Sequence, residues 1–225
     1  MGQVKAVIFD LDDTLIRSRI DYVGAKKSLI RFFIEHGVKP GLLSEDMPNF
    51  EIFKVAAESL RENGMAEDLI KEALNGAREI LNLFELKALE GVELMEGALE
   101  TLSALRGMGL KIGIVTNSCR EYTVKIIEMF SLNKYVDVFV TRDDVNNLKP
   151  NPEHLLKALE SLGVPADEAV FVGDHWIDAV CAERIGVKFI LFRGRRWNFR
   201  EDKVTKDAVA ESLNVLPTMI RSMVF

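Results

Sequence analysis

The run VKAVIFDLDDTL, residues 4–15, decides how this chain is read. Residues 4–9 form a short β-branched and aromatic stretch, long enough for one buried strand. It breaks off into acid at Asp10, Asp12 and Asp13. The same design recurs downstream. Residues 110–115 (LKIGIV) read as a strand ending at Thr116-Asn117-Ser118. Residues 136–140 read as another, followed by a loop that reaches Lys149-Pro150. Residues 169–172 run into Gly173-Asp174, with Asp178 four positions on, which puts the two carboxylates on one face of a helical turn. Residues 187–192 give a further strand. Helical patterns separate these strands at 97–106, 120–130, 152–162 and 176–185, with a last one at 213–222. Pro152 suits a first turn and Gly163 a C-terminal cap. Strands alternating with helices at this spacing predict an α/β protein with a Rossmann-like parallel sheet.

The stretch from about 17 to 90 has a different texture, with no strand-like alternation. Ser18 followed by Asp21 resembles a capping box and opens an amphipathic run through Leu29, Ile30, Phe33 and Ile34 to Gly37. Lys39-Pro40-Gly41 breaks it, and two more helices are expected at 50–62 and 66–88. Leu29, Phe32, Phe33, Phe53, Leu60, Leu69, Leu81 and Phe84 fall at helical spacing and are expected to form a small bundle core, a minority of them lining a lid. The predicted organisation is an α/β core of residues 1–16 and 91–225, interrupted by an all-helical insert at 17–90.

Composition narrows the function. The chain has 225 residues, 48% hydrophobic and 28% charged, with a formal net charge of -6, which suits a soluble globular protein. That sign argues against a protein built to grip nucleic acid or an anionic membrane. The two cysteines, Cys119 and Cys181, lack disulfide-framework or metal-site spacing. Residues 1–9 show no basic-then-apolar leader, and no stretch approaches the ~18 apolar residues of a membrane span, so a cytoplasmic setting is expected.

In an open parallel sheet, ligands bind beyond the carboxyl ends of the strands. Asp10, Asp12, Thr116, Asn117, Lys149, Asp174 and Asp178 therefore belong on one rim. Asp10, Asp12 and Asp174 cannot sit together at neutral pH unless something offsets their repulsion. A hard cation with oxygen ligands does this, and Mg is the usual choice beside phosphate. A carboxylate nucleophile ringed by donors and cations suits phosphoryl transfer.

The residues Asp10-Leu11-Asp12-Asp13-Thr14-Leu15, Thr116-Asn117, Lys149-Pro150 and Gly173-Asp174 with Asp178 resemble, in order, the four motifs of the haloacid dehalogenase superfamily. The helical insert resembles the cap domain of its phosphoglycolate phosphatase branch. The resemblance implies a Mg-dependent phosphomonoesterase acting on a small phosphorylated metabolite such as phosphoglycolate. Asp10 would carry the phosphoryl group, and Asp12 would act as acid and then base. Asp10, the Asp12 main-chain carbonyl and Asp174 would ligate Mg. Thr116, the Asn117 backbone and Lys149 would hold phosphate, and Asp178 would orient Lys149 or a metal-bound water. An acid two residues after the nucleophile favours phosphorus over carbon chemistry. His175-Trp176 stands where small polar residues are common, which bears on substrate size.

A sugar phosphomutase on the same scaffold and a non-catalytic binding or regulatory protein remain as alternatives. The expected partner is a small phosphomonoester, with neither nucleic acid nor membrane, in a monomer or small homo-oligomer. Cys119 reads as a semi-buried filler, His36 as a helix-end residue and His154 as a helix-surface residue. Arg17 and Arg19 are candidates to reach a substrate anion. Arg193, Arg195, Arg196 and Arg200, interleaved with Trp197 and Phe199, read as a solvated or self-packed loop.

Overall fold

Strand β1 (Ala6–Phe9) is apolar at every position and buried throughout, as a strand covered on both faces must be. The computed structural model describes residues 3–194 and 205–223. Around β1 stand five more strands: β4 (Lys111–Val115), β5 (Val138–Val140), β6 (Ala169–Gly173), β7 (Lys188–Phe192) and β8 (Ala208–Ala210). They form one sheet in the order β5-β4-β1-β6-β7-β8, with every neighbouring pair parallel. The chain moves from β1 outward through β4 and β5, then returns to β6 on the other side. That reversal leaves a crevice beyond the carboxyl end of β1.

Helices α4 (Ala98–Gly107), α5 (Arg120–Met129), α6 (Glu153–Leu162), α7 (Trp176–Glu183) and α8 (Leu216–Ser222) belong to the same unit. Ile8, Val115, Phe171, Phe189 and Leu191 pack with Leu155 and Leu159 of α6 and Ala179 and Ala182 of α7. The Phe171 and Phe189 rings meet edge to face at 6.0 Å. Each of the larger of these side chains contributes roughly 1.5–3 kcal/mol of burial free energy, so the sheet that carries the rim is a stiff platform.

By contacts the chain divides into two units, Met1–Ser18 with Gly91–Phe225, and Arg19–Glu90. A two-stranded antiparallel ribbon lies in the first unit, β2 (Ile16–Arg17) against β3 (Glu93–Leu94). In it Arg17 pairs with Glu93 at 3.0 Å, so its guanidinium is already engaged by a carboxylate of the chain itself.

The second unit holds α1 (Tyr22–Glu35), α2 (Asn49–Glu62) and α3 (Glu67–Ala88). Its core is Leu29 and Phe33 of α1, Ile52, Ala56 and Leu60 of α2, and Ile70, Ala73, Ala77 and Leu81 of α3. Phe33 meets Phe53 edge to face at 5.5 Å. Leu69, expected inside, is 53% exposed; the buried stripe of α3 runs through its neighbour Ile70 and repeats every three or four residues from there. The cap of α1 also differs from expectation. Asp21 is the N-cap itself, accepting from the Gly24 N–H at 2.9 Å, while the Ser18 N–H donates to Asp13. His36 ends α1, its Nδ1 at 2.8 Å from the Phe32 carbonyl oxygen.

Among the described residues no helix is long and apolar enough to cross a membrane. Arg193 pairs with Glu211 at 3.0 Å. Arg195, Arg196, Trp197, Phe199 and Arg200 lie outside the described residues.

Candidate active site

Asp10 follows β1 directly, its N–H bonded to the Val172 carbonyl of β6 at 2.9 Å. The chain then turns back on itself: the Leu15 and Ile16 N–H groups both donate to the Leu11 carbonyl, and Asp13 adopts a left-handed φ of 59°. From β4, Thr116 donates its N–H to Val140 at 3.0 Å and accepts the Ser118 N–H on Oγ1 at 3.0 Å. Asn117 exchanges two hydrogen bonds with the Lys149 main chain, at 3.0 and 3.2 Å. That reciprocal pair ties the loop after β4 to the Lys149 segment. Below it, the buried Arg142 donates from Nη1 to the Asn117 carbonyl at 2.7 Å.

Lys149 is only 2% exposed. Its ammonium donates to Asp10 Oδ1 at 2.5 Å, Asp178 Oδ1 at 2.7 Å and the Val115 carbonyl at 3.2 Å. An ammonium has three donors, and all three are used within the protein. The same nitrogen stands 5.6 Å from the centre of the Phe171 ring. Asp178, 1% exposed, also receives the His175 N–H at 3.2 Å as part of the capping box that starts α7. The approach requires Gly173, because a Cβ there would lie 2.7 Å from Asp178 Oδ2. The half-buried Asp174 accepts weakly from the Thr14 hydroxyl at 3.4 Å.

One ammonium does not balance these carboxylates. Asp10, Asp174 and Asp178 offer oxygens that all lie within 4.8 Å of one another. Burial pushes the Asp10 carboxyl up to about 8; Lys149 opposes this, and the charges of Asp178 and Asp12 add to it. Asp174 is pushed well above the ordinary carboxylate range by burial and then by Asp10, Asp178 and Asp13. Burial disfavours the charge on Lys149, but Asp10 and Asp178 overcome it and raise its pKa. An all-oxygen cluster with surplus negative charge fits a hard divalent cation such as Mg. The remaining expected ligand, Asp12, would contribute through its main-chain carbonyl, since its carboxylate is occupied elsewhere.

That carboxylate is held by hydroxyls from the loop after β4 and from α5. Ser118 Oγ donates to Asp12 Oδ2 at 2.6 Å, Tyr122 OH to Oδ1 at 3.0 Å, and Thr116 Oγ1 to Oδ2 at 3.4 Å. The structure therefore brings Asp10, Asp12, Thr116, Asn117, Lys149, Asp174 and Asp178 to one rim. Tyr122, Arg142 and Thr14 join them without having been singled out from the sequence. Spacing gave one usable signal: Tyr122 lies six residues beyond Thr116, in the first turn of the helix that follows.

His154 corrects an expectation. It is fully buried rather than on a helix surface, because α6 turns a broad face to the sheet. Its ring nitrogens have no hydrogen bond of ordinary geometry, and the Thr116 backbone lies alongside. Burial, then the Lys149 charge, lowers its pKa to about 3, so it is neutral. Cys119 and Cys181 are both buried and not joined in a disulfide, and burial pushes the Cys181 thiol up to about 12, which makes it inert.

A family model described as haloacid dehalogenase-like hydrolase matches residues 7–192. The pyrophosphatase PpaX of Halalkalibacterium halodurans is 31% identical over 188 residues, covering 83% of this chain and 82% of that one. PpaX of Bacillus cereus strain B4264 is 30% identical over 228 residues, covering 98% and 100%. Among solved structures, a hydrolase of the same superfamily from Geobacter sulfurreducens is 27% identical with a TM-score of 0.57, covering 97% of each chain. A predicted phosphoglycolate phosphatase from Haemophilus somnus shares the fold at 19% identity, with a TM-score of 0.67 and coverage of 97% and 99%.

Proposed function

The chain belongs to the haloacid dehalogenase-like hydrolase family, and from that premise we propose that it is a Mg-dependent phosphatase working through an aspartyl-phosphate on Asp10. The observation that carries this reading is the buried Lys149 ammonium, 2.5 Å from Asp10 and 2.7 Å from Asp178. A buried ammonium held between two buried carboxylates is costly to build for stability alone.

In this reading Lys149 anchors Asp10 Oδ1, which leaves Oδ2 to attack phosphorus in line with the departing oxygen. The phosphoryl oxygens are received by the Thr116 hydroxyl, which turns to them from its long 3.4 Å contact with Asp12, and by the main chain at Asn117, a segment braced by Arg142 and by the Lys149 backbone. Asp12 gives a proton to the leaving oxygen as the P–O bond breaks. It then takes one from the water that attacks phosphorus and frees Asp10 with inorganic phosphate. Asp10, Asp174 and the Asp12 carbonyl would hold Mg, which when bound supplies the positive charge that keeps the carboxylates ionised and neutralises phosphate. Asp178, bonded to Lys149 and capping α7, keeps that ammonium aimed at Asp10.

The substrate is proposed to be a small phosphate ester or anhydride. Pyrophosphate enters the panel through the 30–31% identical relatives, and phosphoglycolate through the motif pattern. The helical unit, inserted in the chain just after the Asp10 loop, is proposed as the cap that selects among them. The test is phosphate release across a panel with and without Mg. Activity lost to a chelator, restored by Mg and abolished in Asp10→Asn supports the proposal. Near-normal turnover by Asp10→Asn ends it.

A further inference from the structure

Tyr122 is fully buried in the first turns of α5, and its hydroxyl reaches Asp12 Oδ1 at 3.0 Å. A phenylalanine would fill the same space, so the hydroxyl is the informative atom. A buried phenol needs a hydrogen-bond partner, and the partner here is the carboxylate assigned to proton transfer. Ser118, also buried, meets the other carboxylate oxygen at 2.6 Å. Ser118 lies in the loop before α5 and Tyr122 in its first turn, and they grip different oxygens. Together they define the torsion of a carboxylate that is otherwise a broad two-fold rotor.

The arrangement has a geometric consequence. Asp12 sits on a tight turn, two residues from Asp10, and its main chain is fixed by the bonds to Leu11 already described. The remaining freedom is in the side chain, and Tyr122 and Ser118 remove it. A proton donor misplaced by about 1 Å can lose on the order of a hundredfold in rate.

Building on the proposed phosphatase reaction, we propose that Tyr122, assisted by Ser118, is a positioning residue that holds Asp12 where it delivers its proton to the leaving oxygen. Tyr122 acts through Asp12, to which its hydroxyl donates. The role has a signature that simple packing lacks. Proton delivery matters little when the leaving group is a stabilised phenolate and much when it is a basic one. Loss of positioning must therefore depend on the leaving group.

The experiment measures kcat/KM for 4-nitrophenyl, phenyl and 4-methoxyphenyl phosphate with Mg in the wild type, Tyr122→Phe and Ser118→Ala. These substrates are similar in shape and differ mainly in leaving-group basicity. The expected result is a loss of about tenfold or more on phenyl and 4-methoxyphenyl phosphate, against less than about threefold on 4-nitrophenyl phosphate, as the share of general acid catalysis dictates. Ser118→Ala supplies the answer should Tyr122→Phe fold poorly, and it is expected to skew the series the same way. Losses equal across the series, or no loss in either variant, overturn the positioning role while leaving the phosphatase reading in place. A wild type that releases phosphate from none of the three, nor from the metabolite panel, overturns both.

Discussion

Replacing Lys149 with methionine removes one charge and almost no volume, so the effect reads out electrostatics rather than packing. In the metal-free protein the ammonium faces Asp10 at 2.5 Å and Asp178 at 2.7 Å, all three groups buried. Removing one partner of a buried ion pair costs roughly 3–5 kcal/mol because the other charge is stranded. Here Asp10 has an escape, which is to stay protonated. Asp10 already has its pKa raised from 3.8 to about 8, and loss of Lys149 raises it further. A group with a raised folded pKa contributes its full stability below the unfolded value near 3.8 and loses it as pH rises through the folded value. The deficit of Lys149→Met must therefore grow with pH. Urea unfolding in chelator is expected to show a deficit that is flat up to about pH 8, where Asp10 begins to ionise in the wild type, and that is larger at pH 9 than at pH 5.5 by about 1.4 kcal/mol. A deficit below about 1 kcal/mol at pH 9, or one that does not change with pH, would refute the claim that this ammonium balances buried carboxylates.

Three other perturbations test neighbouring parts of the account. His154 is neutral in the folded protein, with its pKa lowered from 6.5 to about 3, so protons favour the unfolded chain as pH falls below 6.5. His154→Leu should lose less stability on acidification, gaining on the wild type by on the order of 1 kcal/mol per pH unit between 6.5 and 4.5; parallel pH–stability curves would contradict this. Gly173→Ala puts a methyl 2.7–2.8 Å from Asp178 atoms and should cost about 1–3 kcal/mol in urea, with a fall in kcat as Lys149 loses its second anchor. An unchanged urea midpoint would show that α7 shifts without strain. Asp174→Asn should weaken Mg binding measured by calorimetry by at least about tenfold, as loss of an anionic oxygen ligand predicts, and an unchanged affinity removes Asp174 from the ligand set.

The strand-end motifs were legible because each is written in adjacent residues, an apolar run that stops at a polar group. Asp10 after β1, Thr116 after β4 and Asp174 after β6 all follow that rule. Strand β8, three residues long, is too short to carry a period, and β2 exists only by pairing with β3. The Arg17–Glu93 contact joins residues 76 apart, which local pattern does not encode. His154 was misread for a related reason. Helical spacing finds the buried centre of α6 at Leu155, Ala158 and Leu159, but the width of the buried face depends on the sheet beneath. Leu69 and Ile70 are equally apolar neighbours, and only the packing of α3 chooses between them. The hydroxyls on Asp12 and the guanidinium beneath Asn117 come from tertiary placement, so their roles emerged with the fold.

The central claim is that Asp10 bears the phosphoryl group during turnover. The direct measurement is acid quench during steady-state hydrolysis with Mg, followed by peptide mass spectrometry across residues 3–26. The account predicts one added phosphoryl group on Asp10, present only with substrate and metal and absent from Asp10→Asn. Turnover with the phosphoryl group on another residue, or undiminished in Asp10→Asn, would contradict it.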